Sequence, residues 1–308
     1  MSEVLSTALF GTGSQGLRLA QNMEKAEFRV DYAFGNQNRE KIHELFHDCH
    51  FLDYRDSGVI REAMANCQAV FIATPPETHF GLTELALFEK TPVFLEKPAS
   101  LLLCNTQELS RLAEKFNVRV VVDFTFCWSE IVQSARGIIV RLQYDNHELY
   151  DFFANLTYLK KFSDETLLHP KWNLGIHLLA VLLHLLPEIT ENNIKNIKFL
   201  CSVNPNNNEE RSVRIQFFSS AEQCGTIYLD FLHQLDWHGN MIEAALKDFR
   251  LAVDDPNHQP ISDIHFALKV QRFLEKLQPN PFSDKTDYVI LLPFLTGVFY
   301  ILLFLPNS

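Results

Sequence analysis

The sequence predicts an α/β protein in which a doubly wound parallel sheet is followed by an α+β domain with a mostly antiparallel open sheet. Up to about residue 123, bare apolar runs such as 4–10 and 68–74 alternate with segments of helical spacing. This alternation is typical of buried parallel strands with helices on both faces. Beyond it, strand-like runs follow one another at 194–203, 211–218 and 225–232. We therefore expect one domain at residues 1–123 and a second at 124–308.

The elements of the first domain follow from the hydrophobic period of each segment. Strands are predicted at 4–10, 29–34, 68–74, 92–95 and 118–122, with helices at 15–25, 39–47, 58–66, 79–90 and 105–116. The second domain begins with a helix around 129–142, followed by polar-alternating segments around 151–161 and a strongly apolar helix over 173–186.

Composition excludes some classes of function. The 308 residues carry a formal charge of −11 with no basic block, which argues against nucleic acid and anionic membranes as partners. The six cysteines are scattered and no signal peptide is recognised, so we expect reduced thiols and a cytoplasmic location. The uncharged segment Tyr288 to Leu305 contains Pro293 and Gly297, which favours a buried terminal helix, with a short strand after it, over a membrane span. If exposed, the same segment would mark a dimer interface.

A glycine motif follows the first predicted strand. The run Gly11-Thr12-Gly13-Ser14-Gln15-Gly16 lies between a strand and a helix, the context in which G-x-G-x-x-G binds a dinucleotide. Its three glycines allow a tight turn, close approach of a pyrophosphate and helix–strand packing. We expect a Rossmann domain, and the alternative is a glycine-rich turn without a ligand.

The segment after the second strand bears on cofactor choice. An acid about twenty residues past the glycines would bind the ribose of NAD, but this position reads Gly35-Asn36-Gln37-Asn38-Arg39. Asn36 and Arg39 are compatible with a 2′-phosphate, so the charge pattern favours NADP over NAD. The alternative is that Arg39 is a solvated helix residue.

Lys97 follows an apolar strand and precedes Pro98. It therefore lies at the carboxyl edge of the sheet, where ligands bind in open α/β sheets. Partial burial would lower its pKa and suit it to proton exchange with a substrate hydroxyl. The alternative is a surface lysine paired with Glu96, which the rigid and potentially cis Pro98 disfavours.

Taken with the glycine motif, the stretches ATPPETH (73–79) and FLEKPAS (94–100) resemble the glucose–fructose oxidoreductase/inositol dehydrogenase (Gfo/Idh/MocA) family. Residues 33–41 also resemble a stretch of its NADP-using members. The resemblance covers residues 4–125 and implies an oxidoreductase that acts on a small sugar, polyol or related carbonyl or imine compound. It implies cofactor contacts from Thr74, Pro75, Pro76, His79, Glu96 and Lys97, with Lys97 assisting catalysis.

The resemblance also implies a second motif in the C-terminal domain, matched here by Asn173 to His177. His177 would be the acid/base partner, and Asn173, one helical turn earlier, would orient it. The alternative is a core histidine on a leucine-rich helix, which is the better explanation for His184. Such domains often carry oligomer contacts, so we expect a homodimer or homotetramer.

Several departures from the family pattern stand in this half. Asn173 replaces an aspartate and cannot carry a charge. Ala180 stands where an aspartate is common, and the loop 123–128 lacks an arginine. Either the substrate is unusual, or the chain is a catalytically weakened or inactive dinucleotide-binding sensor. His43, His47, Cys49 and His50 lie close together in the sequence and could form a metal site. A solvated helix and loop is favoured instead, because the sequence has no further ligand pattern.

Overall fold

The computed structural model describes residues 3–53, 55–144, 149–159, 175–203, 210–217, 225–233, 238–277 and 302–304. The chain divides into two compact units. The first comprises residues 1–128 and 236–271, and the second comprises residues 129–235 and 272–308.

The first unit contains a six-stranded sheet. Its strands are β1 (Leu5–Phe10), β2 (Phe28–Phe34), β3 (His50–Leu52), β4 (Ala69–Ile72), β5 (Val93–Glu96) and β6 (Val120–Asp123). All neighbouring pairs are parallel, and the order is β3-β2-β1-β4-β5-β6. This is the doubly wound Rossmann order, whose direction reverses beside β1. The predicted parallel sheet is confirmed; the short strand β3 had not been predicted.

Helices connect these strands. They are α1 (Ser14–Met23), α2 (Arg39–Leu45), α3 (Ser57–Ala65), α4 (His79–Phe88) and α5 (Leu103–Phe116). Single 3-10 turns lie at Glu24–Ala26, Pro76–Thr78 and Thr125–Trp128. Strands β4, β5 and β6 are buried at every position, as expected for parallel strands covered on both faces.

Two later helices have no counterpart in the sequence prediction. They are α8 (His238–Asp254) and α9 (Ile264–Lys276). The aromatic ring of Phe249 lies 5.6–5.7 Å from the rings of Phe28, Phe71 and Phe94, and the Arg250 guanidinium donates to the carbonyl of Glu27 at 2.9 Å. The structure thus returns residues 236–271 to the first unit, whereas the sequence prediction assigned everything after residue 123 to the second domain. The reason is that the aromatic core of the sheet is completed from α8.

The second unit contains helices α6 (Glu130–Tyr144) and α7 (Ile176–Leu185), with a 3-10 segment at Glu191–Asn196. Its strands are β7 (Leu149–Leu159), β8 (Ile197–Val203), β9 (Glu210–Phe217), β10 (Gly225–His233) and β11 (Leu302–Phe304). They form one sheet in the order β11-β10-β7-β9-β8, in which β10 and β7 are parallel and the other pairs antiparallel. Of the predicted terminal helix at 288–305, only residues 302–304 are described, and they form a strand.

Within the described ranges, no helix is both long and apolar enough to cross a membrane. The same part of the chain holds no group of three or more potential metal ligands. The rings of His43, on α2, and His47, in the turn after it, are both exposed and lie 6.0 Å apart.

Candidate functional site

The turn between β1 and α1 requires glycine at two positions for different reasons. Gly11 has a φ of +94°, and a Cβ there would come within 2.4 Å of the carbonyl oxygen of Ala73. A Cβ at Gly16 would come within 1.8 Å of the carbonyl oxygen of Gly11. The first glycine therefore makes the turn beside β4, and the last lets the helix pack against it.

Gly13 differs from both of these glycines. A Cβ at Gly13 would meet only the side-chain oxygen of Gln37, at 3.7 Å, which is ordinary contact. The fold therefore does not itself require glycine here. The missing side chain leaves space directly in front of α1, as close approach of a pyrophosphate would need.

The N-terminus of α1 is open to an anion. Gly13 is the N-cap residue, and Ser14 and Gln15 are the first residues of the helix. Among the described residues, no side chain hydrogen-bonds to the free N–H groups at this end, and the first turn contains no acidic residue. The first N–H groups of a helix have no intrahelical partner. Together with the positive end of the helix dipole they favour a phosphate at this position.

The loop after β2 is held against the glycine turn by Thr12. The side-chain amide of Asn38 donates a hydrogen bond to the backbone carbonyl of Thr12 at 2.9 Å. A Cβ at Gly35 would come within 2.3 Å of the Thr12 hydroxyl. That hydroxyl is buried and has no hydrogen-bond partner among the described residues. A buried orphan polar group in a turn of this kind fits a site completed by a ligand.

A cavity of about 480 Å³ opens beside this loop. It is lined by Gly35, Asn36, Arg39, Phe51, Leu52, Asp53 and Arg55. The Arg39 guanidinium lies 4.5 Å from the centre of the Phe51 ring, and Arg55 pairs with Asp53 at 2.8 Å. The structure thus brings the predicted residues Asn36 and Arg39 together. The contributions of Phe51, Asp53 and Arg55 were missed because Phe51 lies on the unpredicted strand β3 and the other two follow it.

His79 joins the loops that follow β4 and β5. Its Nε2 lies 2.8 Å from the carbonyl oxygen of Thr74, and its Nδ1 lies 2.8 Å from that of Pro98. Burial lowers the pKa of this histidine, although both carbonyls favour the charged ring. Pro75 and Pro76 lie in the loop that this contact fixes, so His79 acts as a clamp between two predicted cofactor segments.

Lys97 follows β5 at the carboxyl edge of the sheet and is half-buried. The Lys97–Pro98 peptide bond is cis. Burial lowers the pKa of Lys97, while the charges of Glu96 and Asp123 oppose this. The direction is the one predicted for a lysine that exchanges protons near neutral pH.

Two buried acids accompany this lysine. Burial, reinforced by the charge of Asp123, raises the pKa of Glu96 to about 8. Burial also raises the pKa of Asp123 to about 6, against a hydrogen bond from Thr125 and the charges of Arg18 and Lys97. Asp123 was not predicted as a site residue. Its position as the acid that ends the apolar strand β6 was the available signal.

In the second unit, His177 is the second residue of α7 and is 9% exposed. The neighbouring residues of this helix are buried and apolar, including Ala180. His184 is half-buried, with its ring nitrogen 3.2 Å from the side-chain nitrogen of Gln133. Asn173 lies outside the described residues. That Lys97 and His177 share one cleft stays a prediction.

Comparison with known proteins agrees with this geometry. Residues 5–124 match the GFO_IDH_MocA family model, described as "Oxidoreductase family, NAD-binding Rossmann fold". An uncharacterized oxidoreductase of Synechocystis sp. is 35% identical over 91 residues, which are 27% of this chain and 24% of that protein. The matched stretch thus spans about a quarter of that relative.

Solved structures share the fold over most of the chain. An oxidoreductase from Agrobacterium radiobacter, in complex with NAD+, L-tartaric acid and magnesium, is similar with a TM-score of 0.69 and 17% identity, over 89% of this chain and 95% of that one. A putative myo-inositol dehydrogenase from Sinorhizobium meliloti is similar with a TM-score of 0.72 and 14% identity, over 89% and 96%. At these identities the likeness concerns the fold alone. The family match rests instead on residues 5–124, less than half of the chain, which match the NAD-binding Rossmann fold of the Gfo/Idh/MocA oxidoreductase family.

Proposed function

We propose that this chain is an NAD(P)-dependent oxidoreductase that transfers hydride between a nicotinamide cofactor and a small sugar, polyol or related carbonyl or imine substrate. The observation that carries the proposal is the set of groups found together at the carboxyl edge of the first sheet. The glycine turn after β1 leaves open space at Gly13. The half-buried Lys97 follows β5 and interacts with the buried acids Glu96 and Asp123.

The described residues fit a dinucleotide. The turn Gly11 to Gly16 and the N-terminus of α1 would hold the pyrophosphate, and the buried Thr12 hydroxyl would gain a partner. Asn36 and Arg39 would face the adenosine ribose. The loop containing Thr74, fixed by His79, would border the nicotinamide end. When bound, the cofactor supplies or accepts the hydride.

Side chains of the protein would supply and accept the protons of the reaction. Lys97 would hold or accept the proton at the substrate oxygen or nitrogen, because its pKa is lowered by burial. His177 would handle protons from the second unit, with Asn173 orienting the ring or the substrate.

The role of Lys97 is tested by Lys97→Met, with Lys115→Met on the exposed face of α5 as matched control. General acid–base catalysis contributes about 10²–10⁴-fold in rate. We expect turnover to fall by about that factor in Lys97→Met while NADPH binding persists, and no change in the control. Equal turnover of both variants would remove Lys97 from the mechanism.

NADP is proposed over NAD. In support, the ribose segment has no acid, and the cavity beside it carries Arg39 and Arg55, with Asp53 paired to the latter. Calorimetric titration should show tighter binding of NADPH than of NADH. Arg39→Ala should lose about tenfold in NADPH affinity, about 1.4 kcal/mol, with little change for NADH. Arg61→Ala, an exposed arginine paired with Glu89, serves as control. Tighter binding of NADH to the unmodified protein would favour the NAD alternative.

A catalytically inactive dinucleotide sensor is the second candidate. The observation that favours it is Ala180, which is fully buried in α7 at a position where the family resemblance implies an aspartate. If NADPH raises the melting temperature and no sugar, polyol or imine in a broad panel is turned over, the sensor is the better conclusion.

We propose a homodimer or homotetramer formed through the sheet of the second unit, in the cytoplasm and without nucleic-acid or membrane partners. The mostly antiparallel character of that sheet is part of this proposal. Sedimentation analysis should show one species of two or four chains, and a monomer would contradict it.

A further inference from the structure

The ends of β5 and β6 place two acidic side chains side by side in the interior of the first unit. Glu96 and Asp123 are direct partners in the parallel register of these strands. Partnered residues project from the same face, and neighbouring strands lie about 4.8 Å apart. Glu96 is 8% exposed and Asp123 is 2% exposed. Two carboxyl groups therefore meet here with little access to water.

The charged groups around the pair come from several elements. Arg18 of α1 and Lys97 both interact electrostatically with the two carboxyl groups. Cys127 follows on the 3-10 turn, and burial raises the pKa of its thiol, so the thiol stays neutral. The further titratable group nearby is His79, whose pKa is lowered by burial and also by the charge of Lys97. Two cations and two acids thus form the cluster.

Full ionisation of both acids is unfavourable in this place. Burial removes the water that would solvate the carboxylates, and like charges on neighbouring strands repel. One proton between the two groups removes the repulsion, as in other buried carboxylate pairs.

The two groups are not equivalent. Asp123 accepts a hydrogen bond from the Thr125 hydroxyl at 2.8 Å, and such a bond stabilises the ionised form. Glu96 accepts a hydrogen bond from the backbone N–H of Lys97, but burial together with the charge of Asp123 outweighs it. The pKa values of about 8 for Glu96 and about 6 for Asp123 follow the same order.

We propose that Glu96 and Asp123 hold a single proton between them near neutral pH, with Glu96 as the carboxylic acid, and that Asp123 is a positioning residue that sets the charge of Lys97. A protonated Glu96 offers Lys97 no negative charge. The lysine then faces one carboxylate charge instead of two, so its ammonium loses a proton more readily. The consequence for Lys97 rests on the proposed function, whereas the shared proton stands without it.

The test is a pH titration of the ligand-free full chain, labelled with ¹³C at the carboxyl carbons of glutamate and aspartate and followed by NMR. One glutamate should titrate near pH 8 instead of near the ordinary value of about 4.3. Its signal should vanish in Glu96→Gln. In Asp123→Asn its midpoint should fall by about one pH unit or more, because the repelling charge is gone.

Asp31→Asn is the matched control, since Asp31 lies on β2 and pairs with Arg29 at 2.6 Å. It should leave the Glu96 midpoint in place. Should Asp123→Asn fail to fold, Glu96→Gln gives a second measurement, in which the Asp123 midpoint should stay near 6, because the neutral Gln stands in for the protonated Glu96 that Asp123 already faces when it titrates. The proposal is overturned if no glutamate titrates above pH 6, if the Glu96 midpoint does not move in Asp123→Asn, or if the Asp123 midpoint falls in Glu96→Gln, since Glu96 would then be ionised when Asp123 titrates.

The pH profile of turnover connects the pair to Lys97. In Asp123→Asn, the pH profile of turnover should shift toward acid together with the NMR midpoint of Glu96, and Asp31→Asn should not shift it. The two proposals fail separately. If the Glu96 midpoint does not move in Asp123→Asn while Lys97→Met is inactive, only the shared proton is ruled out. If the Glu96 midpoint moves while Lys97→Met is fully active, only the catalytic role of the lysine is ruled out.

Discussion

Buried polar side chains are clustered at one edge of the first sheet but are sparse on the helix α7 of the second unit. At the carboxyl edge of the first sheet, Thr12, His79, Glu96 and Asp123 are all buried, and they lie at the ends of four successive strands and turns. In the second unit, α7 is an apolar helix in which His177 is the one buried polar residue.

This contrast separates the proposed cofactor site from the proposed substrate site. Burial of a polar group costs free energy unless something compensates. His79, Glu96 and Asp123 have hydrogen-bond partners in the protein. The Thr12 hydroxyl has none among the described residues, which supports the proposal of a ligand at this edge. A single histidine at the start of a leucine-rich helix is weaker support for a site, because it also fits a histidine packed in the core. Geometry therefore supports the proposed cofactor site, whereas the proposed substrate site is supported by the family resemblance.

The largest effect is expected from Phe249, which joins α8 to the core of the first unit. Phe249→Ala should lower the free energy of unfolding by about 3–5 kcal/mol, the usual result for a buried phenylalanine. Leu251→Ala, two residues on and 52% exposed, should change it by about 0.5 kcal/mol at most. Urea unfolding measures both. Equal effects would mean that α8 does not complete the Rossmann core.

A smaller but still large effect is expected from Gly16→Ala. The added Cβ would come within 1.8 Å of a backbone oxygen, and overpacking of this kind costs about 1–3 kcal/mol or more. Gly81→Ala on α4 is the matched control, because its Cβ meets nothing within 4 Å. It should stabilise by up to about 1 kcal/mol through helix propensity. A neutral Gly16→Ala in urea unfolding would contradict the close packing of α1 on the turn.

The dependence of stability on pH sharpens the contrast. The folded pKa of Glu96 is raised from 4.5 to about 8, so the folded state holds a proton there that the unfolded chain has released. This contribution is complete below about pH 4.5 and is lost as the pH rises toward 8, with a slope of up to about 1.4 kcal/mol per pH unit. The difference in unfolding free energy between the unmodified protein and Glu96→Gln should follow this slope. Glu108→Gln on the surface of α5 should show no such slope in that window, because Arg111 lowers the pKa of Glu108.

Much of the first unit could be predicted from the sequence because its signals are local. Strand, glycine turn and helix follow one another in the chain, and the lysine motif is contiguous. Asp123 escaped prediction because its partner Glu96 comes from another strand, and Arg55 because it follows the unpredicted strand β3. Helix α8 escaped prediction because the sequence around Phe249 does not show which distant rings it contacts. For the substrate half, His177 alone is described, and its partner Asn173 lies outside the described residues.

The most direct test of the central claim is NADPH binding by Gly13→Ala. The protein has room for this methyl group, whose only neighbour would be Gln37 at 3.7 Å, so the melting temperature of the ligand-free protein should stay within a few degrees of the original. A pyrophosphate in front of α1 leaves no such room, and we expect NADPH affinity in a fluorescence titration to fall about tenfold or more, about 1.4 kcal/mol. Unchanged affinity in a fully folded Gly13→Ala would contradict a dinucleotide site at this turn.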